Sequence, residues 1–160
     1  MFNRESAIGF LLRRPGAPQS RIARWTVLVL GGTGAGFLVW SAVIHLELWS
    51  DGYKSISVIG PLFLVQAISC IIMAVAIVAL RWLALLAAGA ALGVATAVGL
   101  LLSVYVGLFG YTESLAVPYA TLSLAVEFTA AFVLVVAVCV LALAQSSRSA
   151  RSSAPVPTRA

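Results

Sequence analysis

Four long apolar runs, separated by short polar breaks, constrain this chain more than any other feature. They lie at about 25–46, 56–80, 82–109 and 115–144. A helix needs roughly 20 apolar residues to cross a hydrocarbon core about 30 Å thick, because each residue rises about 1.5 Å. Every run reaches that length. Pro61 and Pro118 fall near the starts of the second and fourth runs, where a missing N–H costs little. The expected fold is all-α: a bundle of four transmembrane helices.

Composition rules out the soluble alternative. Apolar residues make up 62% of the 160 residues and charged residues 9%, against about 25% charged in an ordinary soluble domain. So few charges cannot cover a water-facing surface, and the lipid bilayer is the expected partner. A cleaved signal peptide does not fit the first run, which is longer than an h-region and is followed by no A-x-A site. Arg13-Arg14 is not a twin-arginine signal, because ten or so residues separate it from the apolar run.

The net charge of +5 sits at membrane-flanking positions and not in a nucleic-acid-binding stripe. Residues 1–24, the turn at Arg81 and the tail from Gln145 carry nine of the ten basic residues. The opposite loops, about 47–55 and 110–117, carry Lys54 as their only base, beside Glu47, Asp51 and Glu113. The positive-inside rule therefore places both termini in the cytoplasm of a multi-pass plasma-membrane protein. Trp25, Trp49 and Trp82 fall at expected helix ends, as an aromatic belt requires, and Trp40 does not. Residues 1–24 form a basic N-terminal segment, in which Ile8, Phe10, Leu11 and Leu12 suit the inner leaflet. Residues 145–160, rich in Ser, Ala, Pro and Arg, are expected to be a disordered cytoplasmic tail. Arginine outnumbers lysine nine to one, a bias associated with GC-rich bacterial genomes.

Small residues recur at fourfold spacing. Gly32 and Gly36 form one GxxxG pair and Gly89 and Gly93 another, with Gly99, Ser103 and Gly107 continuing the second ladder. In lipid, small residues let helix backbones approach closely. These residues are read as packing positions, within the bundle or at a homodimer face. The stretch Gly31–Gly36 looks loosely like a phosphate loop, but it lies mid-span with no preceding strand.

Glu127 is the most informative single residue. It lies nine residues beyond Pro118, roughly 13 Å along the helix axis. A carboxylate in hydrocarbon is expensive, so it must face the bundle interior, pair with another group or hold its proton. By depth alone, His45, Gln66, Ser103, Tyr105 and Ser123 share its half of the membrane, and the other half is nearly bare of polar groups. That asymmetry predicts a polar pocket opening outward, with Glu127 at its floor. His45 suits a proton carrier, a metal ligand or an interhelical hydrogen bond; as the only histidine, it rules out a bis-His haem within one protomer. A metal site built from His45 and Glu127 would need Glu47 or Asp51 as a further ligand.

No nucleophile has a recognisable base, and Ser57, Ser103 and Ser123 lack a GxSxG setting. Cys70 and Cys139 form no CxxC motif and lie at different depths. No metal motif or cofactor follows from the residues.

His45-Leu-Glu-Leu-Trp49, Gly52-Tyr53, Ile59-Gly-Pro-Leu-Phe-Leu-Val-Gln66 and Gly107-Leu-Phe-Gly110 followed by Glu113 resemble a pattern of small four-helix membrane proteins of actinobacteria. The resemblance covers about half the chain and implies the four-helix topology, without an activity. In size and layout alone the chain is also similar to DoxX-like proteins, which are linked to redox pathways.

Three functional expectations follow. The first is a non-catalytic subunit that packs against a membrane-protein partner or itself. The second is binding or transport of a small ligand, a quinone or a proton in the pocket around Glu127. The third is a membrane redox enzyme or its accessory subunit.

Overall fold

The computed structural model describes residues 21–152, and the expectations for residues 1–20 and 153–160 lie outside them. The described chain is helical. Helix α1 spans Arg21–Ser50, α2 Ile59–Leu80, α3 Leu83–Tyr105 and α4 Pro118–Ser152, with a single 3-10 turn at Tyr53–Ser55. All four helices are long and apolar enough to cross a membrane. They run alternately up and down. The α1–α2 and α3–α4 connections therefore meet at one end, here the acidic end because Glu47, Asp51 and Glu113 lie there. The turn at Arg81-Trp82 lies at the opposite, basic end.

Helix α1 packs along α2 and α4, and α3 packs along α4; α2 and α3 share the least extensive interface between neighbours in sequence. The seams follow a 4-3-4-3 spacing. On α4 one buried stripe runs through Ser123, Glu127, Ala130, Leu134, Ala137 and Leu141, with Ala120, Val126 and Ala131 buried beside it. On α1 the same spacing collects Val27, Gly31, Gly34, Leu38, Ser41 and His45. An average repeat of 3.5 residues keeps one stripe of each helix facing its partner. The apolar core draws on all four helices, with Leu38, Ala74, Leu86 and Leu134 among its members. The remaining large side chains point outward: Phe132 is 70% exposed and Val75 64%. A single soluble protein rarely shows so much contiguous apolar surface to water.

Gly34 lets α1 sit tightly against Leu134 of α4. A Cβ at Gly34 would stand 2.5 Å from a terminal methyl carbon of the fully buried Leu134. At Gly93, on α3, a Cβ would meet the backbone oxygen of Glu127 at 3.0 Å.

Helix α1 extends beyond the expected 25–46 at both ends, taking in Arg21 and Arg24, and α4 starts at Pro118 and not near residue 115. Three further boundaries differ, each for a local reason. The third run ends at Tyr105 and not near residue 109. The N–H of Gly107 bonds back to the Leu102 carbonyl at 3.0 Å, and its φ of 83° is the left-handed conformation that closes a helix. A two-residue turn follows, with Phe109 at φ 52° and Gly110 at φ 80°, closed by paired 2.8 Å bonds between Leu108 and Tyr111. The second helix begins at Ile59 and not Ile56, because Tyr53–Ser55 form their own turn and Gly60 packs directly on its backbone. The fourth helix continues past Ala144 to Ser152, where a disordered tail was expected. No glycine or proline interrupts residues 145–152. The hydroxyls of Ser146 and Ser147 bond the carbonyls of Ala142 and Leu143, satisfying groups within the helix itself.

Candidate functional site

The same seam that buries alanine and leucine in the basic half carries polar groups in the acidic half. Ser41 and His45 continue the α1 stripe, Gln66 and Cys70 lie on α2, Thr96 and Ser103 on α3, and Ser123 and Glu127 on α4. Polar side chains fill these positions less completely than leucine does, and a cavity of about 250 Å³ opens there. Its wall includes His45, Phe63, Gln66, Thr96, Ser103 and Ser123, and its rim includes Tyr53, Tyr111 and Glu113.

Glu127 lies below this space, 2% exposed. Its Oε1 accepts a hydrogen bond from the Ser123 hydroxyl at 3.1 Å and faces His45 Nε2 at 3.8 Å. The Nδ1–H of His45 donates to the Ser41 carbonyl at 2.8 Å, which fixes the ring and leaves Nε2 turned towards the carboxyl. Oε2 of Glu127 and the hydroxyl of Ser41 are both buried without a hydrogen-bond partner among the described residues. Ser41 and Thr96 are the other hydroxyls near the carboxyl. Buried polar atoms are normally paired, and these two belong to one carboxyl–hydroxyl cluster just below the cavity.

The rim is tied across the two loops. The Tyr53 hydroxyl donates to Glu113 Oε2 at 2.7 Å, and that of Tyr111 reaches the same oxygen at 3.3 Å. The backbone N–H of Ser114 donates to Oε1 at 2.9 Å. Phe63 lies between two rings, 4.8 Å from Tyr53 and 5.1 Å from His45 between centroids. Burial first, then the hydrogen bonds to Tyr111 and Glu113, hold the Tyr53 phenol well above its ordinary value. Burial likewise raises that of Tyr111. Both phenols are therefore neutral donors to Glu113 near neutral pH.

Of the residues singled out in the sequence, His45, Gln66, Ser103 and Ser123 line the cavity, and Glu127 lies beneath it. Tyr105 does not join them. It is 75% exposed, because it lies two residues from Ser103 and so turns roughly 200° away on the helix. Depth alone places residues along a helix and says nothing of rotation. Ser41 and Thr96 escape such a reading; their signal is the heptad spacing they share with the core. Among the glycines, Gly89 and Gly93 pack within the bundle, and Gly99 lines the cavity. Gly32 and Gly36 face outward with no neighbouring atom within 4 Å, and Gly107 serves the loop turn.

The metal arrangement considered above lacks its further ligand. Glu47 and Asp51 are exposed, and no group of three potential ligands forms among the described residues. Cys70 is buried and Cys139 exposed, and both are free thiols.

Comparison with protein-family models, curated proteins and solved structures finds no match to this chain.

Proposed function

We propose that this chain is a multi-pass protein of the cell membrane, with both termini cytoplasmic, that binds a small ligand in the cavity at its acidic, outward end. The observation that carries this reading is Glu127: a buried carboxyl with an unpartnered oxygen directly below a cavity in a bundle otherwise packed with apolar side chains. An acidic group inside a membrane is costly and is retained where a ligand, an ion or a partner uses it. The cavity is smaller than most drug-sized pockets, which run from about 300 Å³ upward, so the ligand is small. The distribution of basic residues supports the orientation.

Purification from native membranes in a mild detergent, with mass spectrometry of retained small molecules, tests this reading. The expected result is one compound retained at a fixed ratio by the parent and lost from G99F, whose ring fills the cavity. Equal retention by parent and G99F contradicts it.

A second reading rests on Gly32 and Gly36, which leave open ground on the outward face of α1. There the bundle would meet a second copy or a membrane-protein partner through a small-residue surface. Under this reading G32L and G36L reduce oligomer size in detergent, and an unchanged size rejects it.

A further inference from the structure

The hydrogen-bonding groups of the cavity are unevenly spent. Several donors are already committed within the protein, although the hydroxyls of Ser41 and Ser103 are not. The Tyr53 and Tyr111 hydroxyls donate to Glu113, that of Thr96 to the Leu92 and Gly93 carbonyls, and that of Ser123 to Glu127. The side-chain nitrogen of Gln66 donates to the Cys70 sulfur at 3.3 Å, and Nδ1 of His45 to the Ser41 carbonyl. The acceptors remain: Oε2 of Glu127, Nε2 of His45, the Gln66 carbonyl oxygen and the free lone pairs of the hydroxyls. The wall contains Glu113 and no lysine or arginine. A space with free acceptors, a carboxylate at its rim, a buried carboxyl beneath it and no basic side chain suits a cation that brings its own N–H groups.

The apolar part of the wall suits a flat tail. Phe63, stacked on Tyr53, offers an aromatic face beside His45. Two exposed members of the lining, Leu62 on α2 and Ala95 on α3, flank the least extensive interface between helices adjacent in sequence, with Gly99 adding no side chain there. In a bilayer this side faces lipid.

Resting on the ligand-binding reading above, we propose that the ligand is a protonated primary amine with a short apolar or aromatic tail, reaching the cavity from the membrane between α2 and α3. The ammonium group lies against Glu127 and His45, which supply the acceptors for its N–H groups, and the tail lies along Phe63. Charge-assisted hydrogen bonds to a carboxylate are about twice as strong as neutral ones, and aromatic faces add a further attraction for cations. An anionic ligand meets Glu113 and Glu127 with no compensating base, and a carbonyl-only ligand such as a quinone leaves both carboxyls without a partner.

The test compares four probes of one shape on the full chain in phosphatidylcholine nanodiscs, with empty nanodiscs subtracted. They are 2-phenylethylammonium, its trimethylammonium analogue, 2-phenylethanol and 3-phenylpropanoate. The expected order places the primary ammonium at least about tenfold tighter than the alcohol and tighter than the trimethyl analogue, which has no N–H to donate. E127Q is expected to lose about tenfold for the ammonium and little for the alcohol. If the alcohol or the carboxylate binds saturably as tightly as the ammonium and G99F abolishes that binding, the amine assignment is overturned while the cavity remains a ligand site. Saturable binding by none of the four overturns both. The comparison among probes on the parent protein stands even where E127Q fails to fold.

Discussion

Nε2 of His45 lies 3.8 Å from Oε1 of Glu127, joining the polar ends of α1 and α4, two helices long and apolar enough to cross a membrane. The distance is too long for a hydrogen bond and short enough for a strong influence of charge on charge. The ammonium group proposed above would bridge the two.

This arrangement predicts that Glu127 is kept for use and not for stability. The amide of E127Q still offers an oxygen to the Ser123 hydroxyl and removes a group that is costly to ionise in the bundle. E127Q is expected to unfold within about 1 kcal/mol of the parent, or later. Thermal unfolding in detergent checks this. A loss beyond about 3 kcal/mol would make Glu127 a structural keystone.

The rim gives a prediction in pH. The Tyr53 phenol is raised in the folded protein by burial and by its bonds to Tyr111 and Glu113. A raised folded value means that the contribution of the rim is complete below the ordinary phenol value, about 10, and is lost as pH climbs above it. Tyrosinate absorbance is expected to show a late phase that Y53F removes. Y53F itself forfeits a bond to a carboxylate at a partly exposed site, about 1 kcal/mol.

Glycine positions that are alike in sequence are expected to diverge. A Cβ at Gly60 meets the backbone of Tyr53 and Lys54 at 2.8–2.9 Å, where nothing flexible can yield. G60A is expected to cost about 1–3 kcal/mol and to loosen the Tyr53–Glu113 tie. At Gly36 the space is open, so G36A is expected to be neutral or to stabilise α1 by up to about 1 kcal/mol. Unfolding of the two variants side by side decides it, and equal effects count against the packing described.

Topology is tested by single cysteines in protein lacking Cys70 and Cys139. Ser57, exposed at the acidic end, and Ser147, exposed near the basic end, lie at opposite ends of the bundle. A membrane-impermeant maleimide applied to intact cells is expected to label S57C and spare S147C. The reverse pattern inverts the orientation.

The helices and their approximate ends are legible in the sequence because apolar length is a direct physical requirement. The interior of the bundle is less so. Glu127 announces itself by the cost of its charge, and depth brings His45, Gln66, Ser103 and Ser123 beside it. Depth also admits Tyr105, which helix rotation turns outward. Ser41 and Thr96 are ordinary hydroxyls in an apolar run, and only the heptad spacing of the buried seams brings them to the same place. The tie between Tyr53 and Glu113 spans sixty residues of chain and depends on two loop conformations, including left-handed backbone at Gly107, Phe109 and Gly110. No local pattern encodes that closure.

The central claim is that the space below Tyr53 and above Glu127 is a ligand site and not a packing defect. Methyl NMR of the protein in nanodiscs, titrated with 2-phenylethylammonium and separately with 2-phenylethanol, addresses it most directly. The account predicts saturable shifts confined to methyl groups of the cavity, such as Leu62, Leu100 and Ala120, while those of Leu134 and Ala137 in the core stay fixed. Absence of saturable shifts with either probe, or shifts spread equally over the outward-facing methyls of Val75 and Leu143, would contradict it.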